Sequence, residues 1–431
     1  MGSEDPEGNS GVVHRPRKKV IVVRGMTETM TIGERIAFYR RRRGQSQLVL
    51  AGLVGRTEDW LSRVENNRIE LDRLSVIRRL ADALDVAIGD LVGEPTLLEW
   101  TDDSGVNTVP ALRAALMDYS QLAPLLGAGN ADDEPVSLDN VERDVASAFE
   151  AYQASRYAYV TARVPLILND ALRATRTADV EDFGRVQGLL GLTYQVAVSV
   201  LTKLGETDLA WIASERGLTA AQRSGNPVVL GSLFRSVTHA LHSTGRFAAS
   251  VDLTRAAADL LEPQLGPRAD DALLSVYGTL FLTGAVAAAR ADDRAAARSF
   301  LDEAQESASR LGRDQNAMWT AFGPTNVALH RMTTAMELGD VQVAVDLAPR
   351  IDASALPVER QVRHAIETAR AYTARSRRDD ALGVLLQAEQ LAPEQVRHHA
   401  ISRQLVLSWL RNNRGARSMA LEQLAGRLHL A

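Results

Sequence analysis

The sequence contains no cysteine among its 431 residues. This absence excludes disulfide bonds, zinc sites with thiolate ligands and thiol catalysis together. Aromatic residues make up only 5% of the chain, whereas Ala and Leu are abundant. Helices that pack through small and aliphatic side chains fit this composition better than a β-sandwich does.

The sequence also lacks the motifs of common catalytic sites. No P-loop, HExxH, GxSxG or dinucleotide-binding glycine fingerprint occurs in it. We therefore expect a protein that is not an enzyme and that has no cofactor or metal. The first 25 residues are polar and basic, without the apolar stretch of a signal peptide, which predicts a cytoplasmic protein.

Long apolar runs are few. Residues 186–202 and 272–289 carry no charged side chain, but both contain Ser, Thr, Tyr and Gly. Neither exceeds the usual length of a membrane span. We interpret both as buried helices of a globular protein and expect no membrane contact.

Charge is distributed unevenly along the chain. Residues 1–93 contain 16 Lys or Arg and 13 Asp or Glu, whereas the remaining 338 residues contain 33 and 41. A basic N-terminal part on an acidic body fits a polyanion-binding domain joined to a part that does not bind polyanions.

The chain divides into four segments. Residues 1–30 combine an acidic, Gly-rich stretch with a basic one, and we expect a disordered tail. Residues 31–93 predict five short helices, and residues 94–137 form a linker that holds one helix, at about 110–119. From residue 138 to residue 431 the pattern is helical throughout.

The residues that begin and end helices define the first domain. Thr31 and Glu34 form a capping-box pattern, in which each side chain binds a backbone amide at the start of a helix. Ser46 and Thr57 are suited to cap the second and third helices, the third ending near Glu65. Asn67 follows the third helix and tolerates the left-handed conformation that the turn requires.

Residues 31–91 resemble the Cro and phage-repressor family of helix-turn-helix domains, also called the Xre family. The resemblance rests on Ile32-Gly33-Glu34-Arg35-Ile36, Gln47-x-x-Leu50-Ala51, Val54-Gly55, Trp60-Leu61-Ser62-Arg63-Val64-Glu65, and Leu80-Ala81 with Leu84. It implies a domain shaped like that of lambda repressor, whose third helix enters the major groove of double-stranded DNA. The positions it assigns to DNA contact are Gln47, Thr57, Glu58, Asp59, Ser62, Arg63, Asn66 and Arg68.

Three groups of residues in this domain allow either a structural or a DNA-contacting interpretation. The run from Arg40 to Arg43 is either a solvated face or a phosphate contact. Trp60 is interpreted as a core residue rather than a base-stacking one. We expect Glu65 to be structural, paired with an arginine of the same domain.

The second half of the chain is repetitive. Between 362 and 395, six residues match the tetratricopeptide pattern, in which small residues let two helices of a hairpin approach. Further turns between paired helices are predicted at Gly205, Gly245, Ala291-Asp-Asp and Gly339. Stacked hairpins bury one another's apolar faces, so the sequence predicts an all-α protein whose second part is an α-solenoid with a concave inner surface.

A helix-turn-helix domain followed by tetratricopeptide-like repeats resembles the peptide-pheromone receptors of Gram-positive bacteria, which act in quorum sensing. That resemblance implies a homodimeric transcriptional regulator whose repeats bind an effector, either a peptide or a small molecule, and thereby change its binding to an operator. The concave positions place the ligand-binding candidates at Asn326, Arg235, His239, Gln195, Thr333 and Arg370.

Two alternatives to a ligand-sensing regulator stay open at this point. In the first, the repeats form a scaffold that binds a protein partner while the first domain anchors it to DNA. In the second, the protein is a repressor or antitoxin that responds to no ligand. The segment 318–326 is likewise either a loop between repeats with core aromatics or an irregular loop that lines a pocket.

Overall fold

The computed structural model describes residues 30–92 except 70, 72 and 87, residues 108–117, and residues 135–430 except 267, 268 and 413–417. All regular structure in these ranges is helical. The all-α fold class is therefore confirmed. The expected tail and most of the expected linker lie outside the described residues.

Five helices build the N-terminal domain, as the sequence predicts. They are α1 (Ile32–Arg42), α2 (Gln47–Leu53), α3 (Glu58–Glu65), α4 (Leu74–Leu84) and α5 (Ile88–Val92). The Thr31 side chain accepts from the Glu34 amide while the Glu34 carboxylate accepts from the Thr31 amide, which completes the capping box. Ser46 and Thr57 cap α2 and α3 in the same manner, and Asn67 has a φ of 56°.

One helix of the linker is described. Helix α6 (Thr108–Leu116) covers most of the helix expected at 110–119. Its Leu112 and Leu116 are fully buried against the first hairpins of the second domain, and Arg113 forms an ion pair of 2.7 Å with Glu206. The linker is therefore anchored to the second domain at this helix.

Paired helices make up the second domain, which we call the helical array. In chain order they are α7 (Leu138–Gln153) with α8 (Tyr157–Thr177), α9 (Phe183–Leu204) with α10 (Thr207–Ser224), α11 (Pro227–Ser243) with α12 (Phe247–Leu261), α13 (Asp271–Arg290) with α14 (Arg294–Leu311), α15 (Pro324–Leu338) with α16 (Val341–Leu347), and α17 (Val358–Ala374) with α18 (Arg378–Leu391). The short α19 (Pro393–His398) then leads to α20 (Ala400–Arg411) and α21 (Met419–Arg427). The turns inside four of these pairs lie at Gly205, Gly245, Asp292 and Gly339, where the sequence predicts them.

Both uncharged stretches belong to helices of the array. Residues 186–202 lie in α9, which is buried along almost its whole length. Among the described residues, α13 is long and apolar enough to cross a membrane, but 94% of that apolar segment is buried inside the fold. Its surroundings, rather than a lipid bilayer, account for its hydrophobicity.

The array closes on itself, which the sequence does not predict. Ser155, after α7, donates to Gln395 of α19 at 2.6 Å, and the Ala158 amide donates to Glu394 at 3.0 Å. Further in, Lys203 of α9 forms an ion pair with Glu359 of α17. These contacts join residues 156 to 240 positions apart, so the expected open concave surface instead lines a partly closed cavity.

The N-terminal domain packs against turns of the array. Arg73, just before α4, donates to the Glu337 carbonyl at 2.9 Å and lies 3.2 Å from Asp292. Ile88 contacts the turn at Gly245, where an added Cβ would lie 2.3 Å from the Ile88 Cδ1 atom. Because Gly245 also has a φ of 72°, the turn needs glycine both for its backbone and for this close approach. Helix α1 reaches the other end of the array, where Glu34 pairs with Arg411 at 2.9 Å.

Candidate functional site

Two surfaces of the molecule have the features of functional sites, and the first is the face around α3. The N-terminal residues Thr57, Glu58 and Asp59 are exposed, as are Arg63 and Asn66 farther along. Asp59 and Arg63 pair across one helical turn at 3.0 Å, with 71% and 55% of their side chains exposed. An exposed pair of this kind contributes little to stability, so Arg63 is available for a partner.

A buried ion pair holds α3 in place beneath this face. Arg40 of α1 binds the Glu65 carboxylate through two nitrogens, at 2.5 and 2.7 Å. Gln47, at the start of α2, donates to the same carboxylate at 2.7 Å. One carboxylate thus joins three helices, which confirms the expected structural role of Glu65 and explains why Arg40 is not part of a solvated run.

The remaining residues of the arginine run, Arg41, Arg42 and Arg43, are all exposed. Arg43 also pairs with Asp85 at 2.9 Å. Trp60 is half-buried against the domain core, and the Arg56 guanidinium lies 5.4 Å from its ring centroid. The core reading of Trp60 agrees with this packing.

The residues predicted to contact DNA lie in α2, α3 and the turns beside them. Thr57 caps α3, and the Asn66 side chain donates to the Ser62 carbonyl at 2.7 Å, so both also serve the helix ends. Arg68 is exposed after the turn. Gln47 is half-buried and bound to Glu65, so its expected phosphate contact and its structural hydrogen bond involve the same side chain.

The second surface is a partly open cavity of about 410 Å³ lined by the array and the N-terminal domain. Its volume lies within the ~300–1,000 Å³ of pockets that hold small molecules. The array supplies every charged side chain of the lining together with apolar ones such as Val198, Val286 and Leu329, whereas the lining residues of the N-terminal domain are all apolar. The apolar wall consists of Ile32, Leu71, Leu74, Ile77, Ile88 and Val92.

The array side of the lining, which we call the polar wall, carries an excess of positive charge. The basic side chains that line the cavity are Lys203, Arg235, Arg290, Arg360, Arg363 and Arg370, and the acidic ones are Glu337 and Glu359. Including Glu367, which pairs with Arg363 and Arg370 at the same wall, six cations face three carboxylates. Such an excess in a buried space favours an anionic occupant.

The carboxylates of this wall are already neutralised by the arginines beside them. Burial alone would raise the pKa of Glu337, but Arg370 and Arg290, each within 3.3 Å, outweigh it and lower that pKa to about 2. For Glu359, burial is likewise outweighed by Arg360 and Lys203, and its pKa is lowered. Both carboxylates are therefore ionised and engaged, which leaves the surplus of positive charge to other groups.

The histidines of the wall add hydrogen-bonding groups but no charge. Burial is the main cause that lowers the pKa of His239 and His242 well below the ordinary value, with nearby cations acting in the same direction. These two rings are 5.6 Å apart, and no group of three metal-ligating side chains occurs among the residues that the structure describes.

Arg235 is one of the cavity cations that the sequence analysis predicts. Among the described residues, no carboxylate forms an ion pair with it. Its Nε atom is buried without a hydrogen-bond partner there, as are Thr202 Oγ1 and His242 Nε2. Burial lowers the pKa of Arg235 to about 10, which keeps the guanidinium charged at neutral pH. A buried polar atom without a partner costs about 1–3 kcal/mol, so these three atoms favour a polar ligand group beside them.

An aromatic pair forms part of the wall near the polar groups. The Trp319 ring stacks on Phe149 with centroids 4.2 Å apart and planes 9° apart. Trp319 lies in an irregular segment where Met318, Trp319 and Ala321 all have φ near 50°, tied to α7 by two hydrogen bonds from Gln153. Both readings of the segment 318–326 hold in part, because Trp319 lines the cavity while Phe322 is fully buried in the core.

The structure separates the predicted ligand-binding residues into two groups. Arg235, His239, Thr333 and Arg370 line the cavity. Gln195 donates to Ser232 at 2.6 Å inside the α9–α11 packing, and Asn326 is 99% buried with its amide 3.5 Å from the Thr320 carbonyl. Neither of these two side chains is part of the cavity wall.

Sequence reasoning missed several residues of the cavity. Arg360 lies three positions before Arg363 on the same face of α17, a spacing that would have suggested it. Lys203 and Glu359 gave no such signal, since Lys203 lies at the end of an almost uncharged helix and Glu359 is one charge among several on α17. The apolar wall from the N-terminal domain was not expected at all.

Comparisons with known proteins identify the first domain. Residues 31–93 match the family model described as a helix-turn-helix domain. Among solved structures the chain is similar to BtubC (BKLC) from P. vanneervenii, with a TM-score of 0.37 and 17% identity over 58% of this chain and 90% of that chain. Comparison with curated proteins finds no match. The chain therefore carries a helix-turn-helix domain of the kind found in DNA-binding regulators.

Proposed function

We propose that this protein is a transcriptional regulator that binds an operator through α3 and binds an anionic effector in the cavity of its array. The single observation that carries the proposal is a cationic cavity closed on one side by the DNA-binding domain itself. In this proposal the protein is not an enzyme, acts in the cytoplasm, and binds its operator as a homodimer. We infer a homodimer because one such domain contacts only half of a two-fold symmetric operator.

Support for specific DNA recognition comes from the geometry of α3. Its first turn is exposed and capped, and its last turn is locked to α1 and α2 by Glu65. A helix fixed at one end and exposed at the other can present side chains to base edges without bending. Among these side chains, Arg63 is the one suited to a bidentate contact with guanine.

Arg63→Ala is expected to reduce sequence discrimination by roughly 1–3 kcal/mol, because a bidentate base contact is lost. The operator is first selected from genomic fragments by the purified protein. Fluorescence anisotropy then measures affinity for the selected and a scrambled duplex, and light scattering of the complex gives the number of chains per operator.

Arg298→Ala is the matched control, since this exposed arginine lies on α14, away from α3. It should leave the ratio of the two affinities unchanged. An unchanged ratio in Arg63→Ala would remove Arg63 from the reading face, and one chain per operator would contradict the homodimer.

Support for an anionic effector comes from the unequal pairing of the cavity's charges. Glu337 and Glu359 are held by arginines and Lys203, while Arg235 keeps a buried, unpaired Nε atom. A carboxylate or phosphate at this position would supply the missing partner and balance the charge. The cavity volume favours a compact molecule or a short peptide over a long extended one.

Arg235→Gln is expected to weaken effector binding roughly ten- to a hundredfold, the value of a hydrogen bond to a charged group. The purified protein is incubated with an extract of small molecules, and native mass spectrometry identifies what is retained. Operator affinity is then measured with and without the retained molecule.

Arg298→Gln serves as control here as well and should retain the same molecule as the parent. Retention of that molecule by Arg235→Gln at full occupancy would contradict the cavity site. If no molecule were retained and no extract changed operator affinity, a regulator that responds to no ligand would be the better description.

A further inference from the structure

The cavity is chemically divided between its two walls. Lys203, Arg235 and Arg360 lie on the array side, whereas Leu74, Ile77 and other apolar residues lie on the side of the DNA-binding domain. Aliphatic side chains do not stabilise an anion, and guanidinium groups gain little from an alkyl chain. A molecule that fits both walls therefore has a charged end and an apolar body.

The contacts that hold the DNA-binding domain on the array include several partly exposed ion pairs. Arg73 and Arg79 lie 3.2 and 3.8 Å from Asp292, of which 51% is exposed, and Glu34 pairs with Arg411 at about one third exposure. Ion pairs of this exposure contribute little. The position of the domain is thus sensitive to a modest change at the apolar wall.

We propose that the occupant of the cavity is an amphipathic anion whose apolar body contacts α4 and α5 and thereby holds the DNA-binding domain onto the array. This inference rests on the proposed function, since it takes the same cavity as the effector site. It adds the chemical class of the effector and the route by which binding reaches the DNA-binding domain, without a conformational relay through the array.

The division of the walls assigns different tasks to the two ends of the ligand. The charged end contacts only the array and supplies affinity. The apolar end contacts the domain that moves, so only this end distinguishes the docked arrangement from the undocked one. A ligand shifts an equilibrium only by its differential affinity for the two states, so a short anion is expected to bind without holding the domain.

The first test uses a homologous series of sodium carboxylates on the full-length protein: acetate, hexanoate and decanoate. Isothermal titration should show affinity rising roughly fourfold for each added methylene until the cavity is filled. Hexanamide, which lacks the charge of hexanoate, should bind at least tenfold more weakly. Equal affinities of acetate and decanoate, or no binding by any of them, would overturn the proposal.

The second test changes the apolar wall. Leu74→Ser should reduce the gain from hexanoate to decanoate and leave acetate binding unchanged. Leu53→Ser is the matched control, because Leu53 belongs to the same domain but is 62% exposed, outside the cavity. An unchanged chain-length gain in a folded Leu74→Ser variant would overturn the contact with α4.

The third test needs no change in the cavity. Since the chain lacks cysteine, Leu53→Cys and Ser299→Cys together introduce a single labelled pair across the two domains. Double electron–electron resonance measures the distance between the two spin labels. The distribution of this distance should be narrow with decanoate and broad with acetate. An identical distribution under both conditions would overturn the proposed holding of the domain.

These tests fail separately from the proposed function. If a retained anion changes operator affinity but the chain-length gain and the label distances do not respond, the effector site stands and the contact with the DNA-binding domain is wrong. If Arg235→Gln has no effect on any anion, the effector site itself is wrong.

Discussion

Lowering the pH from 7.5 to 5 is expected to destabilise the helical array strongly, because buried histidines of its cavity are held neutral. Burial lowers the pKa of His330 to about 3 and that of His398 to about 4, and it lowers those of His239, His242 and His399 as well. Arg363 lies 2.6 Å from the His399 ring nitrogen, and a guanidinium has no lone pair to accept a proton from it.

The direction of the effect follows from proton binding. Unfolded histidines take up protons below pH ~6.5, whereas the folded ones do so only near their lowered pKa values. Stability is therefore complete above pH ~6.5 and falls by about 1.4 kcal/mol per pH unit for each histidine. His330 and His398, with pKa values lowered to about 3 and about 4, together cost about 3 kcal/mol per pH unit, a large part of the ~5–15 kcal/mol of a whole domain.

The measurement is the urea midpoint by circular dichroism at half-unit steps between pH 5 and 8. His330→Gln should reduce the slope of stability against pH by the contribution of one histidine, about 1.4 kcal/mol per pH unit. This reduction does not depend on how the substitution changes stability at pH 8. Arg298→Gln, at an exposed position on α14, should leave the slope unchanged. A constant midpoint from pH 7.5 to 5.5 would show that these rings are not neutral and buried.

Gly33→Ala is expected to destabilise the DNA-binding domain by about 3 kcal/mol and to abolish operator binding. A Cβ at this position would lie 2.1 Å from the Val64 carbonyl oxygen and 3.0 Å from the Asn67 side chain. Overpacking against backbone cannot be relieved by a change of rotamer, so α1 and the end of α3 must separate. The turn after α3, where the Asn67 amide donates to the Val64 carbonyl, would be displaced with them.

Gly52→Ala is the matched control in the same domain. Its Cβ would meet no atom within 4 Å, and alanine in an exposed helix is favoured over glycine by about 1 kcal/mol. Differential scanning calorimetry should therefore place the two variants on opposite sides of the parent. Operator binding by Gly33→Ala at parental affinity would contradict the close packing of α1 on α3.

Local signals in the sequence were reliable wherever neighbouring residues decide the structure. The capping box of Thr31 and Glu34, the caps at Ser46 and Thr57, and the left-handed Asn67 each depend on contacts within a few positions. Turns at Gly205 and Gly339 are of the same kind. An arginine partner for Glu65 was also foreseeable, although its identity as Arg40, 25 residues away, was not.

The candidate ligand site was predictable only in part. Helical periodicity identified the inward face, and with it Arg235, His239, Thr333 and Arg370. The same periodicity pointed to Asn326, which the irregular segment before α15 instead covers. Which inward residues reach an open space depends on how neighbouring hairpins tilt, and no single helix encodes that tilt.

By itself, the sequence determined the two-part, all-helical organisation, the helix ends and the turns of the array, because each depends on short-range backbone and packing preferences. The helix-turn-helix class of the first domain came from its resemblance to a known family. Only the tertiary structure decided that Ser155 meets Gln395, that the array lines a cavity, and that the DNA-binding domain forms one of its walls. These features join residues up to 264 positions apart, as Arg73 and Glu337 do. Small rotations between successive hairpins accumulate into this closure, so it is a property of the whole stack and of no segment within it.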